Sequence, residues 1–477
     1  VSIIEGDRVD ATAGELTGWA AVEGGGLRID VGLDRFRERH PKEILLEEAG
    51  RIRVQLQAGF DGWIPDTARR HVVHLRIGPS GRGSPGYRPM GWARGFAPAS
   101  WYRAHAVDVP LPGPREGEAA RRFDALAASL LDLHLEERRM QDAFGEWDFG
   151  DWPLGSGWGN LEYDTAFGFL LQFYRTGDPR WLEEATAGLD HWADVDRFAA
   201  SGQPLWPGLP RVHGRRHGTI AELGHVWLDG VLHGFYLTGD PFLADAFRDT
   251  AAAVARAVEA RSPESTSRER NAAWALHALA AAWEATREPR YLAAMRDLGS
   301  RILARIDPIR GFPRFDRIDP VPPSEEARFR VSPPVTAGIL VPALGRLHRA
   351  APDAALRESI VRIMDWILDE ATDAEIPGIR GSLQIREGDG ETVRRGGFRR
   401  GDWALFACRG FACALEAGGD PRFAAEGRRQ LASSIRYLEE RRPSLDGRGR
   451  SRILLNAPFA LVPSDSPGSS PRGAGRE

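Results

Sequence analysis

The sequence predicts an α+β multidomain protein: a partial antiparallel β-sandwich followed by an α/α toroid of helical hairpins. Three observations lead there. Residues 1–110 hold short runs with alternating apolar positions, as in Ile52, Val54, Leu56 and in Val73, Leu75, Ile77. Residues 110–116, PLPGPRE, end that pattern with Pro and Gly. From residue 160 onward one turn, written T-G-D-P-R or a variant, recurs between apolar helices.

The β part reads as the strands LRIDVGL (27–33), EILLEE (43–48), RIRVQLQ (51–57) and RHVVHLRIG (70–78). Gly and Pro separate them, as in an antiparallel sheet that forms a sandwich. The first residues enter mid-pattern, so residues 1–110 are expected to be an incomplete sandwich domain. Helical periodicity starts with EAARRFDALAASLLDLHLEERR (118–139).

The repeated copies are FYRTGDPRWLEEA (173–185), FYLTGDPFLADA (235–246), WEATREPRYLAAM (283–295), LHRAAPDAALRES (347–359) and LEAGGDPRFAAEG (415–427). Gly caps the first helix, Asp caps the next, and Pro fits its first turn. Each copy is therefore an αα-hairpin. Hairpins of this size close into a ring with an inner layer, an outer layer and a central cleft, expected over residues 111–461. A solenoid is the alternative. The Pro, Ser and Gly of 462–477 predict a disordered tail.

Composition narrows the function. A net charge of −4 over 477 residues gives no electrostatic case for nucleic acid or an anionic membrane. No apolar run is long enough to span a bilayer. Cys408 and Cys413 lie five apart in one helical stretch, a poor spacing for a disulfide. Lys42 is the only lysine, so a general base elsewhere must be His, Tyr, Asp, Glu or, less easily, Arg.

Three stretches carry candidate chemistry. The first, 144–178, sets Trp147, Asp148, Asp151, Trp152 and Trp158 among glycines, then opens a helix near Asn160. Asn160, Tyr163, Asp164 and Phe167 would share one face of that helix. Aromatic rings and planar polar groups together suit a sugar cleft. The second, RVHGRRHGTIAELGHVWLDG (211–229 with its flanking glycine), brings His213, His217 and His225 close to Arg215, Arg216 and Glu222. Its spacing is not that of H-E-x-x-H, so no metal and no cofactor is expected, with a divalent ion left as an open alternative. The third, GGFRRGDWA (396–404), offers Arg399, Arg400, Asp402 and Trp403. Each of these residues also has a plain structural reading: packing for the tryptophans, an N-cap for Asn160, a core hydroxyl for Tyr163.

At these residues the chain resembles the exo-rhamnogalacturonan lyase family of polysaccharide lyases. WGNLEYDTAFGFLLQFYRTGDPRWLEEA (158–185), HGTIAELGHVWLDGVLHGFYLTGDP (217–241) and FRERHPKEILLEEAGRIRVQL (36–56) carry the resemblance. It implies an N-terminal barrel, expected to be missing from this sequence, before a central β-sandwich and a C-terminal toroid. It further implies β-elimination on a uronate-containing, rhamnogalacturonan-like polysaccharide, and a secreted or periplasmic location.

Such a reaction needs a group that neutralises the uronate carboxylate, a base and an acid. The matching residues are Asn160 with Arg215 or Arg216 as neutralisers, His217 or His225 as base, and Tyr163 as acid. Trp147, Asp151, Trp152, Trp158, Glu222, Arg400 and Trp403 would bind the acidic glycan. The rival readings are a glycoside hydrolase using two of Asp151, Asp164, Glu222 and Asp402, and a non-catalytic carbohydrate-binding protein.

Overall fold

A computed structural model describes residues 2–5, 8–12, 18–47, 50–57, 64–80, 95–107, 111–114, 116–154, 157–212, 217–218, 220–262, 265, 268–315, 329–330, 333–386, 389–441 and 447–461. The tail expected over 462–477, and His213, Arg215 and Arg216, lie outside these residues.

The expected sandwich is represented among the described residues by small antiparallel sheets. Strands β1 (Ser2–Glu5) and β2 (Arg8–Thr12) pair, and β3 (Trp19–Gly24), β4 (Leu27–Leu33) and a strand at Val73–Pro79 form a three-stranded sheet in that order. Between them in sequence, Glu43–Glu47 and Arg51–Gln55 make a hairpin. In the three-stranded sheet Ile29 faces Ile77 and Val31 faces Leu75. Val31 and Leu33 are buried, whereas Leu75 and Ile77 are exposed at the sheet edge.

Helix α1 (Ala99–His105) falls inside the stretch expected to be β. Its Tyr102 stacks on Tyr174, ring centroids 5.2 Å apart, which ties it to the helical part. Among the described residues the remaining α-helices are α2 (Glu118–Met140), α3 (Thr165–Thr176), α4 (Pro179–Asp194), α5 (Asp229–Thr238), α6 (Pro241–Glu259), α7 (Glu269–Thr286), α8 (Pro289–Leu303), α9 (Ala337–Ala350), α10 (Ala354–Trp366), α11 (Asp402–Glu416), α12 (Arg422–Arg441) and α13 (Gly447–Ala460).

The turns between paired helices follow the local chemistry of their residues. Gly177 and Gly239 take φ of 75° and 66° to end α3 and α5. Asp178 and Asp240 accept from the backbone N–H of Arg180 and Phe242 to start α4 and α6. In the third copy Arg287 adopts φ 57°, taking the glycine's place.

Six helices form an inner layer. They touch in the order α3, α5, α7, α9, α11, α13, and α13 returns to α3, which closes a ring. Each of the first five packs on the helix that follows it in sequence, and α2 covers α13 from the other end of the chain. The inner helices carry the core: every residue from Thr165 to Arg175 of α3 is buried. Close approach needs small residues. A Cβ on Gly338 of α9 would sit 1.8 Å from the Phe406 carbonyl oxygen of α11.

The β part docks on the outer face of the ring through buried ion pairs. Arg39 pairs with Asp194 at the end of α4 at 2.9 Å, and Arg69 with Glu146 at 2.9 Å. Leaving either side of such a pair alone in the interface would strand a buried charge.

Candidate active site

Side chains at the starts of the inner helices reach one another. Arg270, in the first turn of α7, pairs with Glu162 ahead of α3 at 2.8 Å and faces His225 ahead of α5 at 3.1 Å. Thr336, ahead of α9, donates to Glu269 of α7 at 2.6 Å. Arg452 of α13 pairs with Asp402, the first residue of α11. The inner N-termini therefore share one end of the ring, and their dipoles place partial positive charge there.

Tyr163 lies at the centre of that end. Arg270 sits 5.0 Å over its ring and Arg452 5.2 Å, while Trp227, Trp274 and Phe406 pack around it. Burial, partly opposed by Arg270, pushes the Tyr163 phenol above its usual value, so it keeps its proton at neutral pH. Arg452 also covers the ring of Trp403 at 4.0 Å. Arg448 approaches Glu162 at 3.7 Å.

His225 is 2% exposed, and its two ring nitrogens have different neighbours. Nδ1 lies 2.7 Å from Glu222 and Nε2 lies 3.1 Å from the Arg270 guanidinium. A guanidinium only donates, so Nε2 accepts and the ring proton sits on Nδ1 toward Glu222. Burial and Arg270 hold the imidazole pKa below its usual value, which keeps it neutral. Burial would raise Glu222, but the contacts to His225 and the nearby arginines outweigh it and hold the carboxyl down at about 2.

Asn160 and His217 belong to a second cluster. The expected helix start at Asn160 is corrected by the backbone: Asn160, Leu161 and Asp164 all have positive φ, and α3 begins only at Thr165. Asp164 is the cap, accepting from Phe167 N–H at 3.2 Å and from Gly230 N–H at 3.1 Å. Burial and the Asp229 carboxylate push its own carboxyl up to about 7. The Asn160 amide donates to the Arg211 carbonyl at 2.9 Å, and its backbone carbonyl accepts from Trp227 at 3.0 Å. Its position is thus that of a loop tie.

Asp151 accepts from Asn160 N–H at 3.0 Å and Leu161 N–H at 3.1 Å. Around it lie His191, Asp196 and His217, all buried, with one donor atom from each within 4.8 Å of the others. Burial and Asp196 raise the Asp151 carboxyl, whereas His191 and His217 hold Asp196 low against its burial.

The remaining expected residues are spread more widely. Trp147 is buried under Arg69, 5.1 Å from the guanidinium, with Ile64 and Val195, and so packs the junction with the β part. Trp152 is buried against Gly159 and Gly447, where an added Cβ would come within 2.4 Å of its ring. Trp158 stacks on His217 with centroids 5.7 Å apart. Arg400 is exposed. The sequence reading passed over Glu162, Arg270, Arg448 and Arg452. Their common signal is placement at or just before an inner-helix start, as in RERNAAW and GRGRSR.

No protein-family model matches the chain, and no curated protein matches it in sequence. Among solved structures, a polysaccharide lyase superposes with a TM-score of 0.50 at 13% identity, covering 72% of this chain and 97% of the other. A family 88 glycosyl hydrolase from Bacteroides vulgatus gives 0.47 at 14% identity, covering 70% and 98%. An unsaturated glucuronyl hydrolase from Bacillus sp. GL1 gives 0.46 at 12%, covering 71% and 95%. By its helical-hairpin architecture, the chain shares the fold of that polysaccharide lyase.

Proposed function

We propose that this protein is a carbohydrate-active lyase that cleaves a uronate-containing glycan by β-elimination. The observation that carries the reading is the meeting of Tyr163 and His225 on Arg270 at the positively polarised end of the ring. The sequence resemblance adds a rhamnogalacturonan-like substrate and a secreted or periplasmic setting to the proposal.

The steps follow from the protonation states. The uronate carboxylate binds toward Arg270, whose side chain is 26% exposed, with the inner-helix N-termini behind it. Neutralising that carboxylate acidifies the hydrogen on the adjacent ring carbon. As Arg270 turns its hydrogen bond from His225 to the bound carboxylate, neutral His225 removes this proton through the released Nε2, and Glu222 stabilises the imidazolium that forms. The released electron pair moves first toward the carboxylate, where Arg270 opposes the growing charge. It then forms the carbon–carbon double bond as the glycosidic carbon–oxygen bond breaks. Tyr163 donates its proton to the leaving oxygen, and solvent exchange resets both groups. No water is added across the bond.

In this reading the neutralising role passes from Asn160 to Arg270, while Asn160 and His217 hold the loop that presents Tyr163. A hydrolase would need two carboxyl groups free to flank the bond. Glu222 and Asp402 are instead paired with His225 and Arg452. A screen of uronate polysaccharides for new ultraviolet absorbance tests the proposal, since only elimination creates an unsaturated uronate. Cleavage without that absorbance would favour the hydrolase, and oligosaccharide binding without turnover the non-catalytic reading.

A further inference from the structure

We propose that Asp151, His191, Asp196 and His217 bind one divalent transition-metal ion, zinc before others, behind the loop that carries Tyr163. This goes beyond the lyase reading and does not depend on it. The four side chains come from three separate places: the 148–151 turn, the end of α4 with the residues just after it, and the loop at 217. Each is no more than 1% exposed. Two imidazoles with two carboxylates form a donor set of the kind zinc takes.

The spacing suits one small ion. Asp196 Oδ1 lies 3.1 Å from His217 Nδ1 and 3.4 Å from His191 Nε2. Asp151 Oδ2 lies 3.9 Å from each of those nitrogens. Bonds of about 2.0–2.1 Å in a tetrahedral site imply donor-to-donor edges of roughly 3.3–3.4 Å. The two edges to Asp196 are already near that length, and the two 3.9 Å edges to Asp151 would shorten by about half an ångström on binding.

The surroundings orient the donors inward. His191 Nδ1 faces the Phe149 carbonyl at 3.1 Å. A carbonyl only accepts, so Nδ1 carries the proton and Nε2 turns a lone pair into the cluster. Metal-bound histidines are commonly fixed by this kind of contact. That Nε2, together with Asp196 Oδ2, makes no hydrogen bond although both are buried. Such orphaned groups call for a partner. Asp151 is held from the other side by the N–H groups of Asn160 and Leu161.

The competing account is a proton-sharing cluster in which two imidazolium ions balance two carboxylates. It would satisfy the charges but places His191 Nε2 3.4 Å from its nearest carboxylate oxygen without a hydrogen bond. Bound metal balances the two carboxylates and takes up the His191 Nε2 lone pair, and it replaces the present hydrogen bond between His217 Nδ1 and Asp196 Oδ1. The site is closed by its four protein donors, as structural zinc sites are. Its effect is to tie Asp151, and through it the turn at Asn160 and Leu161, to α4 and to the loop at 217.

The test is metal content of the purified full chain after growth with zinc and dialysis into metal-free buffer. About one zinc per chain is expected. A strong chelator should lower Tm by about 3–5 °C and zinc should restore it. Asp196→Asn and His191→Gln should each lose the ion. Cobalt substitution should give the visible bands of a tetrahedral nitrogen–oxygen site, which decides the question in the wild type if a variant fails to fold. Trace metal with no Tm response to zinc or chelator would overturn the proposal in favour of the proton-sharing cluster. So would metal retained in both variants, or a cobalt spectrum without those bands.

Discussion

The guanidinium of Arg270 lies 5.0 Å over the ring of Tyr163, and its Nη2 reaches His225 Nε2 at 3.1 Å. One cation therefore borders both a protonated phenol and a neutral imidazole. Burial keeps the phenol protonated against the pull of that cation, while burial and the cation together keep the imidazole neutral, and the anion-binding group stands between the two.

Tyr163→Phe and His225→Gln are expected to lower kcat by about 100- to 10,000-fold each, with the fold unchanged by circular dichroism. The two should differ in pH profile. His225 is held below its usual 6.5, so it stays an unprotonated base until the pH falls beneath that value. The acid limb of kcat/KM in the wild type therefore lies below pH 6.5 and disappears in His225→Gln. An unchanged acid limb in that variant would remove His225 from the reaction.

Arg270→Ala should reduce kcat/KM by roughly 100- to 1,000-fold, because the charge developing on the carboxylate loses its opposing group. Arg270→Lys should recover only part, since a point charge cannot face Tyr163, Glu162 and His225 at once. The exposed Arg400→Ala should change kcat/KM by far less. Equal losses at the two positions would contradict the central place given to Arg270.

His277 gives a stability prediction independent of catalysis. Its Nε2 donates to the Ile339 carbonyl at 3.1 Å and its Nδ1 faces Arg346 at 3.4 Å. Burial first, then Arg346 and Arg409, push it down to about 3 from 6.5. Between those values the unfolded chain takes up a proton that the folded chain refuses. The stability is fully present above pH 6.5 and is lost toward pH 3, at about 1.4 kcal/mol per pH unit. Urea unfolding of wild type and His277→Gln at pH 7 and pH 5 should show their difference shrinking by about 2 kcal/mol at the lower pH. A difference that does not move with pH would refute this account of His277.

The parts of the fold legible in sequence were those set by neighbours in the chain. Gly177, Asp178 and Pro179 write a helix end and a helix start within three residues, and Gly239, Asp240 and Pro241 do so again. Asn160 misled because its spacing to Tyr163 and Phe167 suits a helix, while its left-handed backbone and that of Leu161 are set by Asp151 and by the packing of Trp227. Trp147 looked like a sugar platform because its composition is the same whether a ring faces a ligand or Arg69. Arg270 and Arg452 stayed hidden for a different reason. Arg452 meets Tyr163 only once the ring closes α13 onto α3, and Arg270 only once α7 is set beside α5 and α3, both meetings between distant parts of the chain.

The central claim is elimination, and its most direct measurement is digestion of a cleaved uronate glycan in heavy-oxygen water, with mass spectrometry of the new ends. The account predicts an unsaturated uronate at one new end and no solvent oxygen at either. Heavy oxygen incorporated at the cleaved bond, with a saturated sugar on both sides, would contradict it and make the protein a hydrolase.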